Sequence, residues 1–195
     1  MRVVIVVAVL CAAVACGEDL GPGDAQSSAD EVSTREIGVL APPEAADSAF
    51  TYDQEAAPAG AELQLEVLEG DGATTVRLSA ELLQPDRGYA VHAHTDPCGR
   101  NGTDAGPHYQ HEVDPAATPE RPSVDPAYAN PQNEIWLELT TDGQGNGLAE
   151  TTVPFTFDDR VPASIVLHEQ PTTATGHGRA GSAGARLACF TAPFR

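Results

Sequence analysis

The chain has no lysine, and its 10 basic residues, all arginine, stand against 29 acidic ones. A formal net charge of -19 excludes binding to nucleic acid through its phosphates and disfavours anionic lipid headgroups. The missing lysine reads as base-composition bias and not as a functional trait. Long apolar runs with helical periodicity are also scarce. The apolar stretch from Val3 to Ala15, preceded by Arg2, is too short to span a bilayer comfortably and fits the core of a secretion signal. Cysteine is sparse, at 4 residues, of which Cys11 lies inside that stretch and Cys16 at its end.

What is abundant points to strands and turns. Gly 18 and Pro 16 are many for 195 residues. Residues 61–68 and 74–82 alternate polar and apolar positions around the turn Glu69-Gly-Asp-Gly72, the pattern of a hairpin with one buried face. Further strands are expected at 89–94, 133–140, 148–157, 164–168 and 187–191, with an edge strand at 50–52. Many short strands separated by turn residues predict an all-β sandwich or barrel. Two segments, 109–132 and 169–185, fit no strand, and long connections inside a compact domain are usually functional.

The expected organisation has three parts: a signal over 1–15, a flexible acidic spacer over 16–47, and a domain over 48–195. Ala13-Val14-Ala15-Cys16 resembles the bacterial lipobox, so Cys16 is the candidate lipid attachment point, with simple cleavage and secretion as the alternative. Either places the domain outside the cytoplasm, touching a membrane only through that anchor. Cys98 and Cys189 remain for the mature chain; in an exported protein they read as one disulfide closing a long loop, two free thiols being the other possibility.

Four histidines carry the chemistry. His92 and His94 alternate on one strand and therefore share a face; His108, in Ala105-Gly-Pro-His108, and His168, in Val166-Leu-His-Glu169, can complete an all-imidazole site. Imidazole alone does not choose among copper, zinc, iron and nickel.

The motifs Gly88-Tyr-Ala-Val-His-Ala-His94, Ala105-Gly-Pro-His108, Ile165-Val-Leu-His-Glu169 and Gly181-Ser-Ala-Gly-Ala-Arg-Leu-Ala-Cys189 resemble the copper-zinc superoxide dismutases, across roughly 61–194. The resemblance implies a Greek-key β-sandwich. It also implies a copper site at His92, His94, His108 and His168, with His108 as the family's bridging histidine, a Cys98–Cys189 disulfide, and Arg186 as the guanidinium that docks superoxide. The implied reaction is dismutation of superoxide to dioxygen and hydrogen peroxide; a non-catalytic copper-storage or delivery lipoprotein is the alternative. Aligning Gly88-Tyr89 residue for residue would place Ala90 on the first ligand, so a two-residue slip is expected, which lets both His92 and His94 serve.

The zinc half departs from the family. The loop 109–132 holds only His111 where two further histidines are expected, Glu134 stands near the family's zinc aspartate, and 169–174 lacks the aspartate that normally follows the fourth copper ligand. His108, His111 and Glu134 supply three zinc ligands at most, short of the usual four. A copper-only site is therefore expected over an irregular zinc site, with Glu134 orienting the outer nitrogen of His108. His111 and His177 are expected to be solvated, as are Asp114, Glu120 and Asp125, and Trp136 is expected to pack.

Overall fold

The computed structural model describes residues 32–195. Cys11, Cys16, the expected signal and the first half of the expected spacer lie outside the described residues. Among the described residues nine strands form: β1 Val32–Val39, β2 Ala49–Thr51, β3 Glu62–Gly70, β4 Ala73–Glu81, β5 Gly88–His94, β6 Trp136–Thr140, β7 Gly147–Val153, β8 Ser164–His168 and β9 Arg186–Thr191. One 3-10 turn, Gly102–Ala105, is the single helical element there.

Two antiparallel sheets, ordered β1-β3-β4-β7 and β2-β9-β8-β5-β6, enclose the core. β5 pairs with β6, a tight turn passes the chain to β7 in the other sheet, and β8 returns to lie on the far side of β5. This is a Greek-key connection.

The first sheet shows why a two-residue period makes a strand. Leu63, Leu65 and Val67 on β3, with Val76, Leu78 and Ala80 on β4, are all buried, while Gln64, Glu66 and Arg77 face solvent. Asp71 and Gly72 both take positive φ, 51° and 78°, the backbone of a two-residue type I′ hairpin. The second sheet is different: β5 and β8 are buried along both faces, because loops cover the side turned away from the core. On β5 the core side carries Val91 and Ala93; the covered side carries His92 and His94.

Three boundaries differ from the sequence reading, the simplest being the strand expected over 148–157, which ends at Val153. Residues 32–39, expected within the spacer, form β1 against β3. Its apolar side chains Ile37 and Val39 are exposed, at 54% and 55%. What docks the segment is backbone pairing with β3, buried Leu40, and Gly38, where a Cβ would come within 2.5 Å of the Phe190 ring. An edge strand with one wet face, whose sequence includes Ser33, Thr34, Arg35 and Glu36, has the composition of a linker, which hid it. The strand expected from 133 starts at Trp136, since Asn133 and Glu134 turn their side chains to loop and site contacts.

Candidate metal centre

His92 and His94 stand on β5, and β8 brings His168 beside them, its backbone opposite Arg186 of β9 across an irregularity between Leu167 and His168. His108 arrives from the loop after β5, bridged to His94. One ring nitrogen from each of the four lies within 4.8 Å of those of the others. Both histidines of β5 are thus in the cluster, as the two-residue slip requires.

The outer nitrogens are engaged. His94 Nδ1 donates to the Gly106 carbonyl at 3.0 Å, His168 Nδ1 faces the Gly184 carbonyl at 3.4 Å, and His108 Nδ1 meets Glu134 Oε2 at 2.9 Å. His92 is bonded the other way round, Nε2 to Thr173 Oγ1 at 2.7 Å. Because carbonyl and carboxylate oxygens only accept, these contacts place the proton of His94, His168 and His108 on Nδ1 and leave a lone pair on Nε2 of each. The Thr173 hydroxyl can donate or accept; with the hydroxyl accepting, His92 turns the lone pair of Nδ1 into the cluster.

Two observations test whether these residues suit a metal ion. His92 Nδ1 is buried and has no hydrogen-bond partner. His94 Nε2 and His168 Nε2 stand 3.3 Å apart, two acceptors facing each other with no proton assigned to either by their outer contacts. A cation resolves both. Three of the rings are also kept neutral. Burial, then the neighbouring His108, holds His92 and His94 well below the ordinary imidazole range. Burial, followed by His108, brings His168 down to about 3. The donor set fits copper, and equally other metals that accept imidazole.

Arg186 donates from Nη1 to Gly102 O and from Nη2 to Gly106 O, each at 2.7 Å. Gly106 O thus serves both Arg186 and His94. The conformation at Gly106 requires glycine, since φ is 70° and a Cβ would strike Asp96 and Thr95. The loop bearing these carbonyls is tied to β9 by the Cys98–Cys189 disulfide, with Cα atoms 5.7 Å apart and a sequence separation of 91. Closing a loop of this length contributes about 4–5 kcal/mol in chain-entropy models. A cleft of about 530 Å³ exposes His108, His168 and Arg186, and its outer wall carries Val113, Pro119, Pro122 and Val124.

The expected zinc-side residues divide. Glu134 is buried and reaches His108, as expected. His111 does not: it stacks on Phe155, ring centroids 4.4 Å apart. The run after His108 is extended, so Gln110 shares its side and His111 points the other way. Gln110 and Thr173 were missed by sequence reading. The two-residue period from His108 could have found Gln110; nothing local marks Thr173, which supplies a hydroxyl in the stretch where an aspartate was sought. Trp136 does more than pack, because its Nε1 donates to Glu134 Oε2 at 2.7 Å. Asp114 is buried, not solvated, and accepts from Ser123 Oγ and Ala116 N, which organises the loop. Glu120, Asp125 and His177 are exposed.

The chain matches no protein-family model and no curated protein. Its architecture is similar to a Cu/Zn superoxide dismutase from Brucella abortus, with TM-score 0.51 and 17% identity over 82% of this chain and 99% of that one. It is also similar to a point mutant of a SOD-like protein from Bacillus subtilis, at TM-score 0.45 and 17% identity over 66% of this chain and 88% of that one. A further SOD-like structure from Bacillus subtilis gives 0.43 and 15% over 74% and 95%. The first of these likenesses, at 17% identity, supports the β-sandwich fold alone.

Proposed function

We propose that this protein is an exported copper-dependent superoxide dismutase. The observation that carries the reading is the meeting of four imidazoles and a backbone-anchored guanidinium at one cleft. An all-histidine cage alone would serve storage; an arginine held beside it serves a small anion.

Held by His92, His94, His108 and His168, copper would supply one-electron redox chemistry, which zinc cannot. Two superoxide ions and two protons then give one dioxygen and one hydrogen peroxide. Arg186 docks the anion. His108, the ring most open to the cleft, carries a proton at Nε2 while its Nδ1–H stays on Glu134. The other three rings stay fixed. The net charge of -19 repels superoxide at a distance, so attraction must be local. From Gln170 to Arg195 the chain has no acidic residue and three arginines, Arg179, Arg186 and Arg195, which gives that local bias.

One metal suffices in this reading. His111 faces away, Gln110 takes the side where a ligand would stand, and both oxygens of Glu134 are already engaged. The disulfide supports an oxidising compartment, and lipid attachment at Cys16 would hold the domain at the membrane.

Reconstituting the metal-free protein with copper, then measuring superoxide consumption before and after chelation, tests the proposal. The expected result is one copper per chain, turnover without added zinc, and loss of turnover on chelation. Tight copper binding with no turnover would favour storage or delivery instead.

A further inference from the structure

Glu134 is 2% exposed, and a buried carboxylate costs free energy unless donors replace its water. Three do. Gln110 Nε2 donates to Oε1 at 2.7 Å, while Trp136 Nε1 and His108 Nδ1 meet Oε2 at 2.7 and 2.9 Å. The arrangement follows from two short extended runs laid side by side, bridged at Gln110 and Glu134. Successive alternate residues, His108 with Gln110 and Glu134 with Trp136, converge on one carboxylate. The orientation of the Gln110 amide is itself determined, because its Oε1 accepts from Asp114 N at 3.1 Å and so turns Nε2 toward Glu134.

We propose that Gln110 and Trp136 are positioning residues that hold Glu134 in the one orientation that keeps His108 as its Nδ1–H tautomer, with Nε2 free for the metal and the proton. This rests on the reading of His108 given above. The chemistry of the two donors suits the task. Neither the amide nor the indole N–H is acidic near neutral pH, and the indole cannot accept. They fix the carboxylate without competing for the proton that His108 shares with it. They also occupy the two directions from which a second cation or water would otherwise approach Glu134. The pair thus supplies, from uncharged side chains, the rigidity that a second metal would give His108 from its far side.

The test uses Trp136→Phe and Gln110→Met, singly and together, in the full domain. Phenylalanine keeps an aromatic ring but loses the N–H and part of the indole's volume, so the His108 tautomer and the cupric spectrum, which packing alone would not move, are the deciding readouts. In the metal-free protein, nitrogen NMR of the histidines should show His108 locked as the Nδ1–H tautomer in the wild type and exchanging between tautomers in the double variant. With copper bound, each single variant should keep one copper per chain, with an altered cupric spectrum. Turnover should fall several-fold in each single variant and on the order of 10- to 100-fold in the double. An unchanged His108 tautomer and an unchanged cupric spectrum in the double variant would overturn the inference. The tautomer readout decides it even in a protein that binds copper without turnover, so this inference and the dismutase reading fail separately.

Discussion

His92 and His108 are neighbours in the cluster, ring centroids 4.0 Å apart, yet they are held in opposite ways. His92 is fully buried on a strand, anchored by a neutral hydroxyl, and leaves Nδ1 to face an ion; His108 sits on a loop at the cleft, anchored by a carboxylate, and points Nε2 inward. The difference separates two tasks within one donor set. His92, His94 and His168 are fixtures, kept neutral by burial and aimed by hydroxyl and carbonyl partners. His108 has the carboxylate partner and the open side that the proposed proton handling would require.

Substitution should break this comparison most sharply at the rings themselves. His92→Ala should weaken copper binding by more than roughly 100-fold, beyond the usual cost of losing only a ligand's supporting partner. His108→Ala should cost less affinity but nearly all turnover; competition titration with a copper chelator, alongside the superoxide assay, separates the two. Equal losses of affinity would erase the distinction. Next in size is Arg186→Ala, expected to lower turnover on the order of 100-fold with copper content unchanged. Arg186→Lys should recover little, since an ammonium cannot reproduce the two-pronged grip on Gly102 O and Gly106 O. Glu134→Ala should lower turnover by about 10- to 100-fold at similar copper content; unchanged turnover would remove Glu134 from the account.

The mildest test is acidification of the metal-free protein. Folded His168 resists protonation until about pH 3, whereas the unfolded chain takes that proton near 6.5, and burial moves His92 and His94 the same way. The unfolded state therefore binds more protons below pH 6.5, and stability should fall as pH drops from there toward 3. Thermal unfolding across this window, with and without copper, checks it; a melting temperature flat in pH would contradict the burial argument.

Legibility in the sequence followed periodicity. β3, β4 and β8 were placed closely because alternation, or a short apolar run between turns, reports burial directly. β1 was missed because its exposed face looks like a linker and its docking rests on Gly38 and backbone pairing, which composition does not record. At the site, the four histidines and the cysteine pair were legible from motifs. Their partners were less so. Gln110 obeys the two-residue period from His108 and could have been read; Thr173 reaches His92 across 81 residues of chain and depends on how the loop after β8 folds back. Trp136 was placed correctly on its strand but assigned packing alone, because a lone indole gives no sign of the acceptor its N–H will meet.

The account depends on one ion shared by rings from β5, β8 and the loop between β5 and β6. Pulsed electron paramagnetic resonance on protein loaded with a single equivalent of cupric ion, with histidine nitrogens isotopically labelled, counts those rings directly. The predicted result is coupling to four imidazoles, one of them lost in His92→Ala. Coupling to two or fewer, or a spectrum untouched by that substitution, would contradict it.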